Sequence, residues 1–327
     1  MRIEGLSVEF ASPEGTVKAV RDLSLSLQPG RTLALTGESG AGKTSVGLAV
    51  LNLLPHPGRI TAGRVLFDGR DVLSLSAEEI RELRGRQIAM VFQDPATGLN
   101  PVLSVGQQVE EIITAHLPVS KREARDRSLE ALTEMGLPDP EQVAERYPFH
   151  LSGGMAQRVM IAIATALNPR VLIADEPTSA LDVTVQAALL DDLRQVQERS
   201  GTSILLISHD LGVVAQMADE VAVMYAGAVV EQGDVRSVFG RPRHPYTWAL
   251  LNSRPRWDQE RSGPLPSIRG TPPDLLDLSE ECPYVPRCPK AVSVCRNSAA
   301  PPLQELERGH RAACYNPMQV VESASGA

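Results

Sequence analysis

Gly37-Glu38-Ser39-Gly40-Ala41-Gly42-Lys43-Thr44 is the stretch that decides the fold class. It fits the spacing G-x-x-x-x-G-K-S/T, follows a strand candidate at Thr32 to Thr36, and runs into a helical stretch from Ser45 to Leu53. That strand–loop–helix context is the one a phosphate loop requires. The glycines let backbone N–H groups turn inward around phosphate oxygens, and the helix that follows adds the positive end of its dipole. Gly37, Ser39, Gly40, Ala41, Gly42, Lys43, Thr44 and Ser45 are thus nucleotide-binding candidates, with Lys43 against the β- and γ-phosphates and the Thr44 hydroxyl available to Mg2+.

Downstream, Val171-Leu172-Ile173-Ala174-Asp175-Glu176 is an apolar strand ending in two acids. Neighbouring residues leave a strand in different directions, so one acid can serve the Mg2+ shell while the other faces an attacking water. Taken alone, such a pair is an ordinary solvated strand end; the phosphate loop gives it a function. The same holds for Gln93, in Phe92-Gln93-Asp94-Pro95, which can reach Mg2+ or the water from a strand end. It holds too for His209, in Ser208-His209-Asp210, which ends the strand candidate Ser203 to Ile207 and can hydrogen-bond a γ-phosphate. Asp182, in Ser179-Ala180-Leu181-Asp182, reads as a helix N-cap just after the acids.

Alternation of apolar and polar residues predicts half-buried strands at Ile3 to Phe10 and Leu23 to Leu27, with further strands at Val65 to Phe67 and Ile88 to Phe92. From about 95 to 165 the texture turns helical, with helix starts at Ser104, Ser120 and Ser152; Ser76 and Ser120 each stand three residues before a glutamate, the capping-box spacing. Val171 to Ala174 and Ile204 to Ile207 are continuous apolar runs suited to central strands covered on both faces, and Val183 to Arg199 reads as an amphipathic helix between them. Val221 to Met224 and Val229-Val230 suggest a last strand pair. After about 240, Pro242, Pro245, Pro255, Pro264, Pro266, Pro272 and Pro273 crowd a stretch with little periodicity, which predicts an irregular extension and not a continued sheet. The expected division is residues 1–240 as one nucleotide-binding domain and 241–327 as the extension.

One further segment narrows the reading: Leu151-Ser152-Gly153-Gly154-Met155-Ala156-Gln157-Arg158, a serine–glycine turn opening a helix between the phosphate loop and the acid pair. In that order the motifs resemble the ATP-binding cassette (ABC) ATPases over residues 1 to about 240. The resemblance implies an α/β fold: a P-loop NTPase (RecA-like) core with an antiparallel β subdomain and a helical ABC subdomain at about 95–165. It implies that Lys43 belongs to the Walker A site, that Asp175 is the Walker B acid and Glu176 the general base, that Gln93 is the Q-loop residue and His209 the switch histidine, and that Asp182 lies in the D-loop. Phe10 falls where the family places an aromatic that stacks on adenine, although it reads equally well as a strand-core residue. In this family Ser152, Gly153 and Gly154 contact the γ-phosphate in a partner's site, so a second ABC ATPase subunit is implied. Phe92-Gln93-Asp94-Pro95, Leu99-Asn100-Pro101, Tyr147-Pro148 and His244-Pro245-Tyr246-Thr247 are similar to the ATPase subunits of oligopeptide and dipeptide importers. That subfamily implies two transmembrane permease subunits, an extracytoplasmic substrate-binding protein, and a peripheral place on the cytoplasmic face of the inner membrane. Relatives also move nickel or sugars, and some ABC ATPases are soluble proteins outside transport. One departure is Phe149-His150, where relatives show an acidic residue before the signature.

The four cysteines all lie beyond position 280, as Cys282-x5-Cys288-x6-Cys295-x18-Cys314. Four thiolates complete a tetrahedral zinc site or an iron–sulfur cluster, and the tight C-x2–4-C pairs of zinc ribbons are missing. Unligated thiols or disulfides are the remaining readings. The resemblance to peptide-importer extensions, some of which hold a 4Fe-4S cluster, favours iron–sulfur over zinc. A net charge of −8 gives no electrostatic support to a nucleic-acid partner. No apolar run reaches the roughly 18–20 residues of a membrane span, and MRIEGLSVEF lacks the basic start and apolar core of a signal peptide.

Overall fold

The structure is a computed structural model and describes residues 1–179, 181–253, 267–276 and 278–319. Ala180, Pro255, Pro264 and Pro266 therefore lie outside the described residues. A smaller antiparallel sheet is built from β1 (Arg2–Ser12), β2 (Gly15–Ser26), β4 (Gly58–Phe67) and β5 (Arg70–Asp71), in the order β2-β1-β4-β5. The larger sheet contains β3 (Thr32–Thr36), β6 (Ile88–Val91), β7 (Val171–Asp175), β8 (Ser203–Ile207), β9 (Glu220–Tyr225), β10 (Ala228–Asp234), β11 (Gln304–Glu307) and β12 (His310–Ala312). Its order is β11-β12-β10-β9-β3-β8-β7-β6. The β9-β3-β8-β7-β6 part is parallel, and β10, β12 and β11 add antiparallel strands at one edge.

The parallel strands explain their own sequences. Every residue of β3, β6, β7 and β8 is buried. Alternate residues feed two different cores: Leu33, Leu35, Ile173 and Ile207 pack with Val46 and Ala49 of helix Lys43–Val50 and with the antiparallel sheet, while Ala34, Leu172, Ala174 and Leu206 pack with Leu189 and Leu193 of helix Val183–Ser200. A strand covered on both faces needs apolar residues at both parities, hence the unbroken runs. β4 shows the reverse. Only Val65 and Phe67 of it are buried, and Thr61 to Arg64 are exposed, so apolar patterning marks just its last third.

Between β6 and β7 lie helices Pro95–Gly98, Val105–His116, Lys121–Glu134, Pro140–Glu145 and Gly153–Thr165. Ser76 and Ser104 form reciprocal capping boxes with Glu79 and Gln107. Ser120 makes half of its expected box: its hydroxyl accepts from the Glu123 N–H, whereas the Glu123 carboxylate is paired with Arg127.

The expectation that the extension does not continue the sheet is wrong. β12 pairs with β10 through Glu231↔Ala312 and Gln232↔Arg311, and β11 pairs with β12. The join is held by a buried carboxylate. Glu231 accepts from the N–H groups of Arg243 (2.6 Å) and His244 (2.8 Å), and its Oε1 lies 2.7 Å from His310 Nε2. A fully buried carboxylate with three partners is the kind of polar group that costs little only when every member is present.

Candidate nucleotide site

The P-loop connects β3 to helix Lys43–Val50, and its backbone has little freedom of its own. A Cβ on Gly37 would lie 2.2 Å from the Met224 carbonyl oxygen, and one on Gly42 2.0 Å from that of Ala19. Both glycines have positive φ, 148° and 97°. The loop is therefore seated directly on the backbones of β9 and β2, an approach only glycine permits.

Lys43 is buried, and its Nζ donates to the carbonyls of Gly37 (2.9 Å) and Glu38 (3.0 Å). Thr44 Oγ1 donates to Asp175 Oδ1 at 3.3 Å, joining the helix start to the end of β7. Burial lowers the Lys43 pKa, opposed by Glu176, Asp175 and Glu38. Burial raises that of Asp175; the Thr44 hydrogen bond opposes it, Glu176 adds to it and Lys43 counters it. Each group is thus held partly by the other's charge.

The acid pair is divided as the strand end requires, with an added device. Asp175 ends β7, and Glu176 takes φ 47°, in the left-handed region. Its N–H donates to Ile207 O at 2.8 Å, which holds the turn against β8. Non-glycine residues in this region cost of order 1–3 kcal/mol and persist where the surroundings over-determine them. The turn aims the Glu176 carboxylate toward the next strand end: Oε2 stands 2.8 Å from Nδ1 of His209, whose side chain is 58% exposed. Asp175 pairs with Ile207 across the strands, so His209 follows two residues later at the same end of the sheet.

Gln93 follows β6, whose Val91 pairs with Ala174 of β7. Its side chain is exposed, and its carbonyl accepts from Ser179 Oγ at 3.2 Å. Asp182 caps helix Val183–Ser200, accepting from the Thr184 and Val185 N–H groups at 3.0 Å. Ser152 caps helix Gly153–Thr165 through the Met155 N–H, and Ser152 and Gly153 are exposed. A Cβ on Gly154 would lie 2.7 Å from Val185 Cγ1, so this turn packs on the helix that Asp182 caps. Beside it, Tyr147 stacks on Phe149 at 5.6 Å, and Phe149 is 68% exposed.

Phe10 stands in β1 between Val17 of β2 and Gly58 of β4 and packs partly against the core. A cavity of about 300 Å3 adjoins the P-loop, lined by Val17, Glu38, Ser39, Gly40, Ala41, Tyr225 and, from the extension, Pro272 to Leu275. Phe10 is not among its lining residues; its cross-strand partner Val17 is.

The chain is similar to known proteins in sequence and in fold. Residues 20–179 match the family described as ABC transporter, and residues 230–295 match the oligopeptide/dipeptide transporter C-terminal region. The oligopeptide transport ATP-binding protein OppD of Salmonella typhimurium is 46% identical over 319 residues, covering 98% of this chain and 94% of its own length. This chain belongs to the ABC transporter ATP-binding family. The dipeptide transport ATP-binding protein DppD of Bacillus subtilis is 47% identical over 296 residues, covering 90% of this chain and 88% of its own. Among solved structures, the dimeric post-hydrolysis state of the ATP-binding cassette MJ0796 bound to ADP and Pi matches with a TM-score of 0.65 at 27% identity, over 72% of this chain and 98% of that one. The cassette is accordingly an ABC-type ATPase. No helix among the described residues is long and apolar enough to cross a membrane.

The four cysteines meet the expectation only in part. Cys282, Cys288, Cys295 and Cys314 line one narrow cavity with His244, Pro245 and Tyr284, and all four are free thiols. No group of three or more Cys, His, Asp or Glu side chains among the described residues is arranged so as to hold a metal ion. All four thiols nevertheless converge on one place in the extension. Burial raises the pKa of Cys282 and Cys288 and pushes Cys314 up to about 11, which favours the protonated thiols. Metal ligation there would have to release protons.

Proposed function

We propose that this ABC ATPase energises a membrane importer of oligopeptides or dipeptides. The observation that carries the reading is the double match: the cassette and the extension each match their family, and relatives named for peptide transport align over nearly the whole chain. Within the site, Gly37, Ser39, Gly40, Ala41, Gly42, Lys43 and Ser45 hold the ATP phosphates, and Thr44, Asp175 and Gln93 belong to the Mg2+ shell. The Thr44–Asp175 contact supports that assignment. Glu176 is the general base and His209 reaches for the γ-phosphate; their 2.8 Å contact supports a shared water position. Phe10, together with Val17, marks the adenine side.

Ser152, Gly153, Gly154 and Asp182 serve the nucleotide of a second cassette, a homologous subunit. The exposure of the signature turn supports this, and so does the likeness to a dimeric cassette. Two permease subunits would dock on the helical insertion, roughly residues 95–165, and hold the chain at the cytoplasmic membrane face, with a substrate-binding protein acting on the other side. Glu176→Gln should keep ATP affinity and lose turnover by about 1,000-fold, read as ATP Kd against phosphate release in the assembled transporter. Near-normal hydrolysis would sink the general-base role.

For the extension we infer that Cys282, Cys288, Cys295 and Cys314 hold a 4Fe-4S cluster as a structural staple, with zinc as the alternative. Their convergence from separate segments onto one cavity supports it, and closing the thiols on a cluster would contribute folding free energy. Anaerobically purified protein should show broad visible absorption and stoichiometric iron. Colourless protein with stoichiometric zinc would replace the cluster by zinc.

A further inference from the structure

Among the extension's contacts with the P-loop is a residue that no motif assigns. Arg287 lies between Cys282 and Cys288 in sequence order, yet its guanidinium is bound to Glu38, inside the phosphate loop 249 positions away. The pair is bidentate: Nη1 to Oε2 at 2.7 Å and Nη2 to Oε1 at 3.0 Å. The guanidinium has further support. Nε donates to the Arg269 carbonyl at 2.9 Å, Nη1 also donates to Tyr225 Oη at 3.3 Å, and the side chain is only 4% exposed.

The Glu38 backbone is held as well. Its N–H donates to Tyr246 Oη at 2.8 Å, and its carbonyl accepts from Lys43 Nζ at 3.0 Å. Tyr246 is fully buried in an aromatic cluster with Tyr225 and Tyr284, centroids 4.5 and 5.4 Å away. The same P-loop residue therefore carries the extension on its side chain and amide and the phosphate-binding lysine on its carbonyl. Planar, two-point pairing restrains a carboxylate in direction as well as distance, which a single hydrogen bond does not.

We propose that Arg287 is a positioning residue for ATP binding: by clamping Glu38 together with Tyr246, it sets the P-loop shape in which Lys43 meets the phosphates. The inference rests on the reading of Lys43 as the phosphate ligand. The extension is then a working part of the nucleotide site and not only an appendage of it. Unclamping the loop without unfolding it is expected to cost roughly tenfold in affinity, about 1.4 kcal/mol.

The test is equilibrium binding of Mg-ATP to the full chain, with the thermal midpoint measured on the same samples. Arg287→Ala and Glu38→Gln should each raise the ATP Kd, by up to roughly tenfold. Arg287→Lys, which keeps the charge and one hydrogen bond, should recover part of the loss. The Glu38→Gln, Arg287→Ala double variant should bind no worse than the weaker single variant, because both act on the same contact. Glu38→Gln is isosteric and carries the test if Arg287→Ala does not fold. A residue that merely held the extension in place would lower the thermal midpoint and leave the Kd of the folded protein unchanged; that result, or fully additive losses, overturns the clamp. Lys43→Ala separates the two levels. ATP binding that survives it removes the phosphate-ligand reading, whereas its loss alongside wild-type Kd values for the Glu38 and Arg287 variants overturns the clamp alone.

Discussion

Asp175 ends a strand, and His209 and Lys43 lie just beyond the ends of its two nearest parallel neighbours on that side, Lys43 as the first residue of its helix, whereas Cys282, Cys288 and Cys314 stand on loops and Cys295 on a five-residue helix. At the first site, β3, β7 and β8 are buried along their whole length, and the packing of the sheet places the side chains before any ligand arrives. At the second, the thiols line one cavity from loops and a short helix, and among the described residues they are not grouped as a metal site. The difference lies in what does the positioning. Strand ends inherit the precision of a two-sided core, while loops depend on a few polar anchors and on whatever they bind.

The sharpest way to break this contrast is to disturb the seating of the P-loop. Gly37→Ala puts a Cβ at 2.2 Å from a backbone oxygen that cannot swing away, at a φ that L residues avoid. Adding overpacking to backbone strain, we expect a loss of about 4 kcal/mol in denaturant unfolding, together with loss of ATP binding. A variant that unfolds at the wild-type midpoint would mean that the loop is more compliant than its contacts require.

What the sequence reveals follows the same division. Lys43, Thr44, Asp175, Glu176 and His209 are legible because phosphate and metal chemistry asks for fixed residue types at strand ends, and the strands announce themselves as apolar runs. The structure brings all five to one end of the sheet. β11 and β12 are not legible: Gln304-Glu305-Leu306-Glu307 has no apolar face, and these are strands only because β10 offers an open edge. The same is true of Glu38 with Arg287 and Glu231 with His310, pairs separated by 249 and 79 positions, where no local pattern marks either partner. A charged residue inside a phosphate loop is the one hint available for Glu38. Val17 was hidden behind Phe10, since pairing across a hairpin is set by register and not by motif spacing.

On the extension's side, the anchor to test is Glu231. Removing its carboxylate leaves the Arg243 and His244 N–H groups and the His310 ring without their partner in a buried place. Glu231→Ala should cost about 3 kcal/mol, and proteolysis should then cut the extension ahead of the parallel core. Loss of both parts in a single transition would show that the extension is not a separately detachable layer.

The smallest effect sharpens the comparison by pH. His244 is fully buried at the start of helix Pro245–Asn252, where its Nδ1 accepts from the Tyr246 N–H at 3.0 Å. That bond requires an unprotonated Nδ1, and burial drives the pKa down to about 3 from an ordinary 6.5. The unfolded chain therefore takes up a proton that the folded chain refuses. The neutral ring's contribution is complete above pH 6.5 and is lost as the pH falls from there toward 3, at no more than about 1.4 kcal/mol per pH unit. His244→Asn keeps an acceptor for the cap and cannot be protonated, so it should flatten that share of the acid slope in urea unfolding between pH 6.5 and 4.5. The Tyr246 it positions is the one that holds the Glu38 N–H, so acid should loosen the P-loop from the extension's side while the parallel strands still hold. An unchanged slope in the Asn variant would mean that the helix start opens to water before the ring is protonated, which would put the weakest point of the extension at His244 itself.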